Sequence, residues 1–323
     1  MDKVYFYAPD LRNHYLFEQD SQAWLGISNN FTFWIVRTYL ALKALDFPCE
    51  IVDQIPKKGI LFADRDTLGN KYPYLGETML ICAKGDREFH SSAHLHVVQN
   101  PVDIQKKNSL WNPFYIPPWP QPALIPRAID RGSRVENIAF IGTRHNLTKE
   151  FLSEKWINSL KEIDCQWYPI FDKNKWNDYS NIDIIIAVRG FNKSSYNHKP
   201  ASKLINCWRG LVPAILAPES AYLSIRNSEL DFLIVNSLEE TIEAVKKLKN
   251  NPQLYLSMIE NGKQRSREFS DEKITEKWVQ FFNQEVFTTY KDWLKMSDLQ
   301  RRYLFVQRYL KLKQMRLKNR IIK

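Results

Sequence analysis

From Asn137 to Phe282, short apolar runs alternate with helix-period segments, and that alternation leaves few folds open to the chain. NIAFIG, CQWYPIF, NIDIIIAVRG, VPAILA and DFLIVN read as strands, and SEKWINSLKEI, PASKLINCWRG and ESAYLSIRNS as the helices between them. Strands joined through helices at this spacing run parallel, and runs without polar alternation are covered on both faces. Ser237 and Glu240 make a capping box for LEETIEAVKKLKN, and Pro252 suits the first position of the helix after it. The pattern predicts a doubly wound α/β domain whose ligand lies outside the carboxyl ends of its strands.

The first half repeats the theme more loosely. Residues 3–7 read as a strand, followed by a polar loop from Ala8 to about Asn30. FTFWIVRTYLALKAL places Phe31, Trp34, Ile35, Thr38, Leu42 and Leu45 on one helical face. CEIVD is a second strand, and further strands fall at Gly59–Ala63, Thr78–Ala83 and His94–Val98. Six of the sixteen prolines lie between Pro113 and Pro126, which excludes helix and interior strand and reads as a stiff connector. The expected fold class is α/β, two Rossmann-like parallel-sheet domains with a basic helical tail. Residues 1–126 form the first domain with its connector, 127–285 the second and 286–323 the tail.

Charge is distributed unevenly. The 323-residue chain carries +10, and from Tyr290 to Lys323 eleven Lys and Arg stand against two Asp. The body is nearly neutral, which argues against a nucleic-acid-binding core. In the tail, Leu299, Tyr303, Val306, Leu310 and Leu317 share one helical face. Arg301, Arg302, Arg308, Lys311, Lys313, Arg316, Lys318 and Arg320 crowd the other positions. A basic amphipathic helix reads as a binder of anionic membrane surface; the alternative is that its apolar stripe packs onto the first domain. The N-terminus lacks a secretory pattern, and no apolar run approaches a membrane span. Cys49, Cys82, Cys165 and Cys207 are scattered in or beside apolar runs, as buried thiols of a reducing compartment would be. These features predict a cytoplasmic protein, peripheral on the inner face of the membrane if the tail binds lipid. Ten tryptophans are more than two cores are expected to bury whole.

The stretch NHKPASKLINCWRGLVPAIL carries the chemistry. The strand Asp183–Val188 ends in Arg189. Pro200 suits a first helical position, so the amides of Ala201, Ser202 and Lys203 point out of a helix mouth, where the dipole favours phosphate. Lys199 and Lys203 bracket that mouth. A cation in a first turn opposes the dipole, and an anionic ligand would reverse the sign. Asn206 lies one turn deeper on the face of Ser202, and Glu219 stands at the next helix entrance. Asn206 and Glu219 suit ribose or sugar hydroxyls, and Arg189, Lys199, Ser202 and Lys203 a diphosphate. His145, in GTRHN, lies in the loop after the first strand of the second domain.

Two α/β domains, a proline-bearing connector, and KPASKLINCWRGLVPAIL with APES resemble the GT-B glycosyltransferases. More narrowly, they resemble the family-one and family-four-like enzymes of bacterial surface-polysaccharide synthesis. SMIENGKQRSREFS and ITEKWVQFF are similar to the closing helices of that second domain. The resemblance implies domains facing a cleft and a hexosyl transfer from a nucleotide-sugar to a glycan or lipid-linked acceptor. It implies no cofactor and no metal, since leaving diphosphate is held by cations and helix dipoles; the aspartates of DRD (Asp64 to Asp66) read as turn formers. The two glutamates, eight positions apart, that many retaining members carry fall on His198 and Asn206 when Pro213 is matched. On the acceptor side the resemblance places Arg12, with His14 as the base an inverting member needs, and on the donor side the loop of His145; Asn100, just past the strand of His94 and His96, falls at a cleft edge on the acceptor side if that sheet is parallel. His94 and His96 share one strand face near His90 without further ligands to complete a zinc site. The competing reading is a catalytically silent GT-B-like module that binds carbohydrate or is recruited to a membrane as a scaffold.

Overall fold

The computed structural model describes residues 2–10, 16–17, 29–106, 110–192 and 194–321. They form two compact units. The first combines the described residues up to Trp119 with those from Asp271 onward, and the second spans Pro120–Ser270.

The first unit holds a six-stranded parallel sheet. Its strands are β1 (Val4–Tyr7), β2 (Cys49–Val52), β3 (Lys58–Asp64), β4 (Glu77–Ala83), β5 (Ala93–Val98) and β6 (Pro113–Tyr115), in the order β2-β1-β3-β4-β5-β6. Helix α1 (Arg37–Lys43) is entered through a π-helical turn, Phe31–Val36, and the expected face of Phe31, Trp34, Ile35, Thr38 and Leu42 is buried. Leu45 departs from that face at 59% exposure, because the helix stops at Lys43 and the chain turns at Asp46 with φ 52°. The short helix α2 (Arg65–Leu68) starts on Asp64, whose carboxylate accepts from the amides of Asp66 and Thr67, so this aspartate is a turn former as expected. The proline-rich stretch is no bare connector: Pro113 opens β6, which pairs with β5 at the sheet edge, and a missing amide is tolerated both on an edge strand and at a strand's first residue.

The second unit carries β7 (Asn137–Ile141), α3 (Glu154–Lys161), β8 (Gln166–Ile170), β9 (Ile184–Ala187), α4 (Ser202–Arg209), β10 (Ala214–Leu216), α5 (Ser220–Ser224), β11 (Leu233–Ile234), α6 (Leu238–Lys249) and α7 (Pro252–Ser266). The sheet is parallel, ordered β11-β10-β9-β7-β8. Alternate strand residues feed two cores. Ile138, Phe140, Ile184, Ile186 and Ile215 pack with Trp156, Leu160, Val245, Leu248 and Tyr255 of α3, α6 and α7. Ala139, Ile185, Ala187, Ala214 and Leu216 pack with Leu204, Ile205, Trp208 and Tyr222 of α4 and α5. Both faces are thus covered, as the apolar runs require. Ser237 caps α6 through the Glu240 amide at 3.0 Å, while the Glu240 carboxylate reaches back to the Asn236 amide, one residue beyond a standard box. Pro252 opens α7, capped by Asn251.

The closing helices revise the expected boundary at residue 285. Helix α8 (Asp271–Gln280) continues through a π-helical turn, Phe281–Val286, into α9 (Phe287–Lys295), and α10 (Asp298–Ile321) follows. Their aromatic rings complete the first unit's core. Phe62 lies 5.3 Å from Phe6 and from Trp278, and Trp278 stacks on Phe282 at 5.8 Å. The units therefore divide at 119/120 and 270/271 rather than at 126/127 and 285/286. Of the nine described tryptophans, Trp34, Trp111, Trp119, Trp156, Trp208, Trp278 and Trp293 are buried, while Trp167 and Trp176 are half-buried, so some of the rings are partly exposed as expected. All four cysteines are buried and free. No helix among the described residues is long and apolar enough to cross a membrane.

Candidate functional site

Three adjacent strands of the second unit, β10, β9 and β7, end side by side, and the residues that follow them are stitched together. Gly142 follows β7, Arg189 follows β9 and Glu219 follows β10. The turn Arg144–Asn146 brings Asn146 Oδ1 to accept from Arg189 Nε at 3.2 Å. Arg189 Nη1 donates to Glu219 Oε2, and the Tyr196 ring lies 5.6 Å beneath the guanidinium. Backbone bonds from the Thr148 amide to Val188 O (3.0 Å) and from the Ser220 amide to Ser195 O (3.0 Å) fasten the loops around this group.

Helix α4 opens into the same place. Its first residue is Ser202, after Ala201 at φ −83° and ψ 19°, and no side chain caps it. Pro200 thus lies outside the helix rather than at its first position, and the free amides are those of Ser202, Lys203 and Leu204. Lys203 is half-buried, not the solvated side chain that a lysine in a first turn suggests. Its Nζ donates to Ile141 O at 2.6 Å and lies 4.8 Å from the Phe140 ring centroid. Gly142, at φ +149°, makes room for it: a Cβ there would sit 2.5 Å from Nζ. Burial, reinforced by the Arg189 charge, lowers the Lys203 ammonium to about 8. No carboxylate among the described residues lies within ion-pair distance of it.

Glu219 is 1% exposed. Burial raises its carboxyl, against the pull of Arg189. One oxygen takes Arg189, and the other, Oε1, is buried without a hydrogen-bond partner among the described residues. Burial weakens the Arg189 guanidinium, but Tyr222 and Glu219 beside it outweigh that and leave it raised. Two cations thus stand beside the amide-lined start of a helix, and only Arg189 is paired with the Glu219 carboxylate, an arrangement complementary to an anion with hydroxyls close by.

The structure brings together four of the sequence-derived candidates, Arg189, Ser202, Lys203 and Glu219. Lys199 is half-buried three residues ahead of α4, its amide on Tyr196 O at 2.8 Å. Asn206 has a different engagement: its Oδ1 accepts from the Gln121 amide at 3.0 Å, pinning the segment that enters the second unit. His145 is exposed on its turn, 3.3 Å from Thr143 Oγ1, while its neighbour Asn146 makes the contact to Arg189. Asn100 is fully buried, and its Oδ1 accepts from the Val102 amide at 3.1 Å. His14 and Arg12 lie outside the described residues. Sequence reasoning missed Asn146, Tyr196, Tyr222 and Gly142. Only Gly142 left a signal, as the glycine closing the first strand of a Rossmann-like set.

No family model matches the chain, and no curated protein matches it. Solved structures do. Sucrose-phosphate synthase from Thermosynechococcus elongatus superposes with a TM-score of 0.57 at 10% identity, covering 90% of this chain and 100% of that one. AviGT4, a glycosyltransferase of avilamycin A biosynthesis, gives 0.50 at 8% identity over 87% of this chain and 96% of that one. TarM gives 0.50 at 14% identity over 77% of this chain; the match spans 58% of TarM. A mutant of S. aureus TarM solved with fondaparinux, alpha-GlcNAc-glycerol and UDP gives 0.50 at 15% identity. These likenesses show the GT-B fold.

Proposed function

We propose that this GT-B chain is a glycosyltransferase that moves a sugar from a nucleotide-sugar to a glycan or lipid-linked acceptor without a metal. One observation carries the reading: Lys203 is a half-buried cation that has, among the described residues, a backbone carbonyl and the Phe140 ring but no carboxylate for a partner, beside Arg189 and the free amides of α4. A diphosphate supplies the charge this arrangement lacks. In the transfer, negative charge develops on the departing diphosphate, and preorganised cations and amides lower the barrier because they need no rearrangement. Lys203 exchanges Ile141 O for a phosphate oxygen, with the Ser202 and Lys203 amides, Arg189 and Lys199 around it. The unpartnered Glu219 Oε1 accepts from a ribose or sugar hydroxyl. His145, exposed beside Asn146, faces outward to the rest of the donor. Asn206 leaves the donor-binding set, its oxygen being used by Gln121. Arg12 and His14 stay the acceptor-side candidates. The UDP in a TarM structure supports a nucleotide-diphosphate donor.

The test is a thermal-shift screen with UDP-, GDP-, ADP- and CMP-linked sugars, followed by acceptor-free donor hydrolysis. At least one donor should raise the melting temperature and be slowly hydrolysed, and Lys203→Met should weaken both. A chain that neither binds nor hydrolyses any of them favours the catalytically silent module, a carbohydrate-binding or membrane-recruited scaffold. That second reading draws on His198 and Asn206 standing where retaining enzymes carry glutamates.

A further inference from the structure

Helix α10 turns Arg301, Arg308 and Leu312 inward. Arg308 is buried and donates to Leu110 O at 2.8 Å and to His94 Nδ1 at 2.6 Å. Arg301 is buried and donates to Trp293 O at 3.1 Å and Met296 O at 2.9 Å. Arg316 pairs with Glu88 and donates to the Tyr72 hydroxyl at 2.5 Å. Three of the tail's cations are therefore spent on the first unit, with Leu312 buried among them.

The apolar stripe faces away. Leu299, Tyr303, Val306, Leu310 and Leu317 are between 48% and 77% exposed. On a 3.6-residue helix these five positions fall within about 60° of one another and run for about 27 Å. Arg302, Lys311, Lys313, Gln314 and Lys318 flank them, all exposed, and no acidic residue follows Asp298 in the chain. The alternative in which the stripe closes onto the first unit is thereby excluded. An outward apolar band of this length is uncommon on a soluble protein without a partner.

We propose that this face of α10 docks on the surface of an anionic bilayer. The five apolar side chains enter the boundary between headgroups and acyl chains, and Lys311, Lys313 and Lys318 extend along it to the headgroup phosphates. Charge complementarity selects this occupant. Two copies of the chain paired through the stripe would bring like-charged flanks together, with no carboxylate after Asp298 to answer them. The helix lies on the membrane, since it is too polar to span it. Removing the whole tail is a poor test, because it would also uncover the sites that Arg308 and Leu312 fill. The full chain should instead be sedimented with vesicles of phosphatidylcholine alone and with about one third phosphatidylglycerol. It should pellet only with the anionic vesicles and be released as NaCl rises from about 0.1 to about 0.5 M, where the screening length falls from about 10 to about 4 Å. Val306→Glu with Leu310→Glu, and separately Lys311→Glu with Lys313→Glu and Lys318→Glu, should each cut the bound fraction about tenfold. Both variants should keep the parent's melting curve, since all five positions are exposed. Equal pelleting on neutral and anionic vesicles, none on either, or undiminished pelleting of both variants would overturn the proposal. A concentration-dependent dimer, lost in the Val306→Glu and Leu310→Glu chain and formed without vesicle binding, would overturn it in favour of a second copy.

Discussion

At the scale of single residues, the candidate site is recognisable by what its members cost. Lys203 holds a charge that burial and Arg189 disfavour, lowering it to about 8 from 10.5. Between those values the unfolded chain binds the proton that the folded chain has released, so stability at this position rises with pH from about 8 to 10.5 and is flat below. Lys203→Met should remove that rise from the melting temperature measured against pH. At pH 7 it should change stability by no more than about 1 kcal/mol, the lost bond to Ile141 O offsetting the relief of the desolvated charge. Donor affinity should fall by about 1.5–3 kcal/mol in a titration calorimeter, the range for a hydrogen bond to a charged group. In the parent protein, nucleotide-sugar binding should weaken as pH passes upward through 8. Asn206 and Glu219 divide differently. Asn206→Ala loses the bond to the Gln121 amide and should cost about 1 kcal/mol in urea denaturation while leaving donor affinity in place. Glu219→Ala strands Arg189 without its counter-charge and should cost about 3–5 kcal/mol by the same measurement.

At the scale of elements, the strands were legible because a buried parallel strand is a short apolar run and little else looks like one. All five strands of the second unit, and the start of α7 at Pro252, lie where the sequence places them. The start of α4 was less so. K-P-A-S reads equally well with Pro200 or Ser202 first, and the choice is made by the backbone at Ala201, not by a side-chain signal. Helix α10 marks the limit of periodicity. The 3.6-residue repeat separates two faces but does not say which is inside, and hydrophobicity points to the wrong one. Arg301 and Arg308 can be buried only because carbonyl oxygens and a neutral histidine await them, and Leu110 and His94 are some two hundred residues away from Arg308 in the chain. Neighbouring leucines on this helix should therefore behave oppositely. Leu312→Ala should cost about 2–5 kcal/mol in chemical denaturation, as a buried leucine does, whereas Leu310→Ala should stay within about 0.5 kcal/mol.

At the scale of the molecule, the two units are built unequally from the chain. The described residues of the second all lie between Pro120 and Ser270, with both faces of its sheet covered by its own helices. The first is assembled from both ends of the sequence. Trp278, Phe281, Phe282, Tyr290 and Trp293 come from the far end and are buried in it. Losing one large buried ring costs about 3–5 kcal/mol, and a whole domain is stable by only about 5–15 kcal/mol. Removal of five such rings exceeds what the first unit can lose. A fragment of residues 120–270 should therefore fold alone, melt cooperatively in circular dichroism and be stabilised by the same nucleotide-sugar as the full chain. Every residue assigned here to the diphosphate lies within it. A chain ending at residue 270 should show that same transition and no second one, with the first 119 residues unfolded and open to protease. If the fragment is unfolded, or folds but ignores a donor that the full chain binds, then either the second unit is not autonomous or the donor site needs residues outside it.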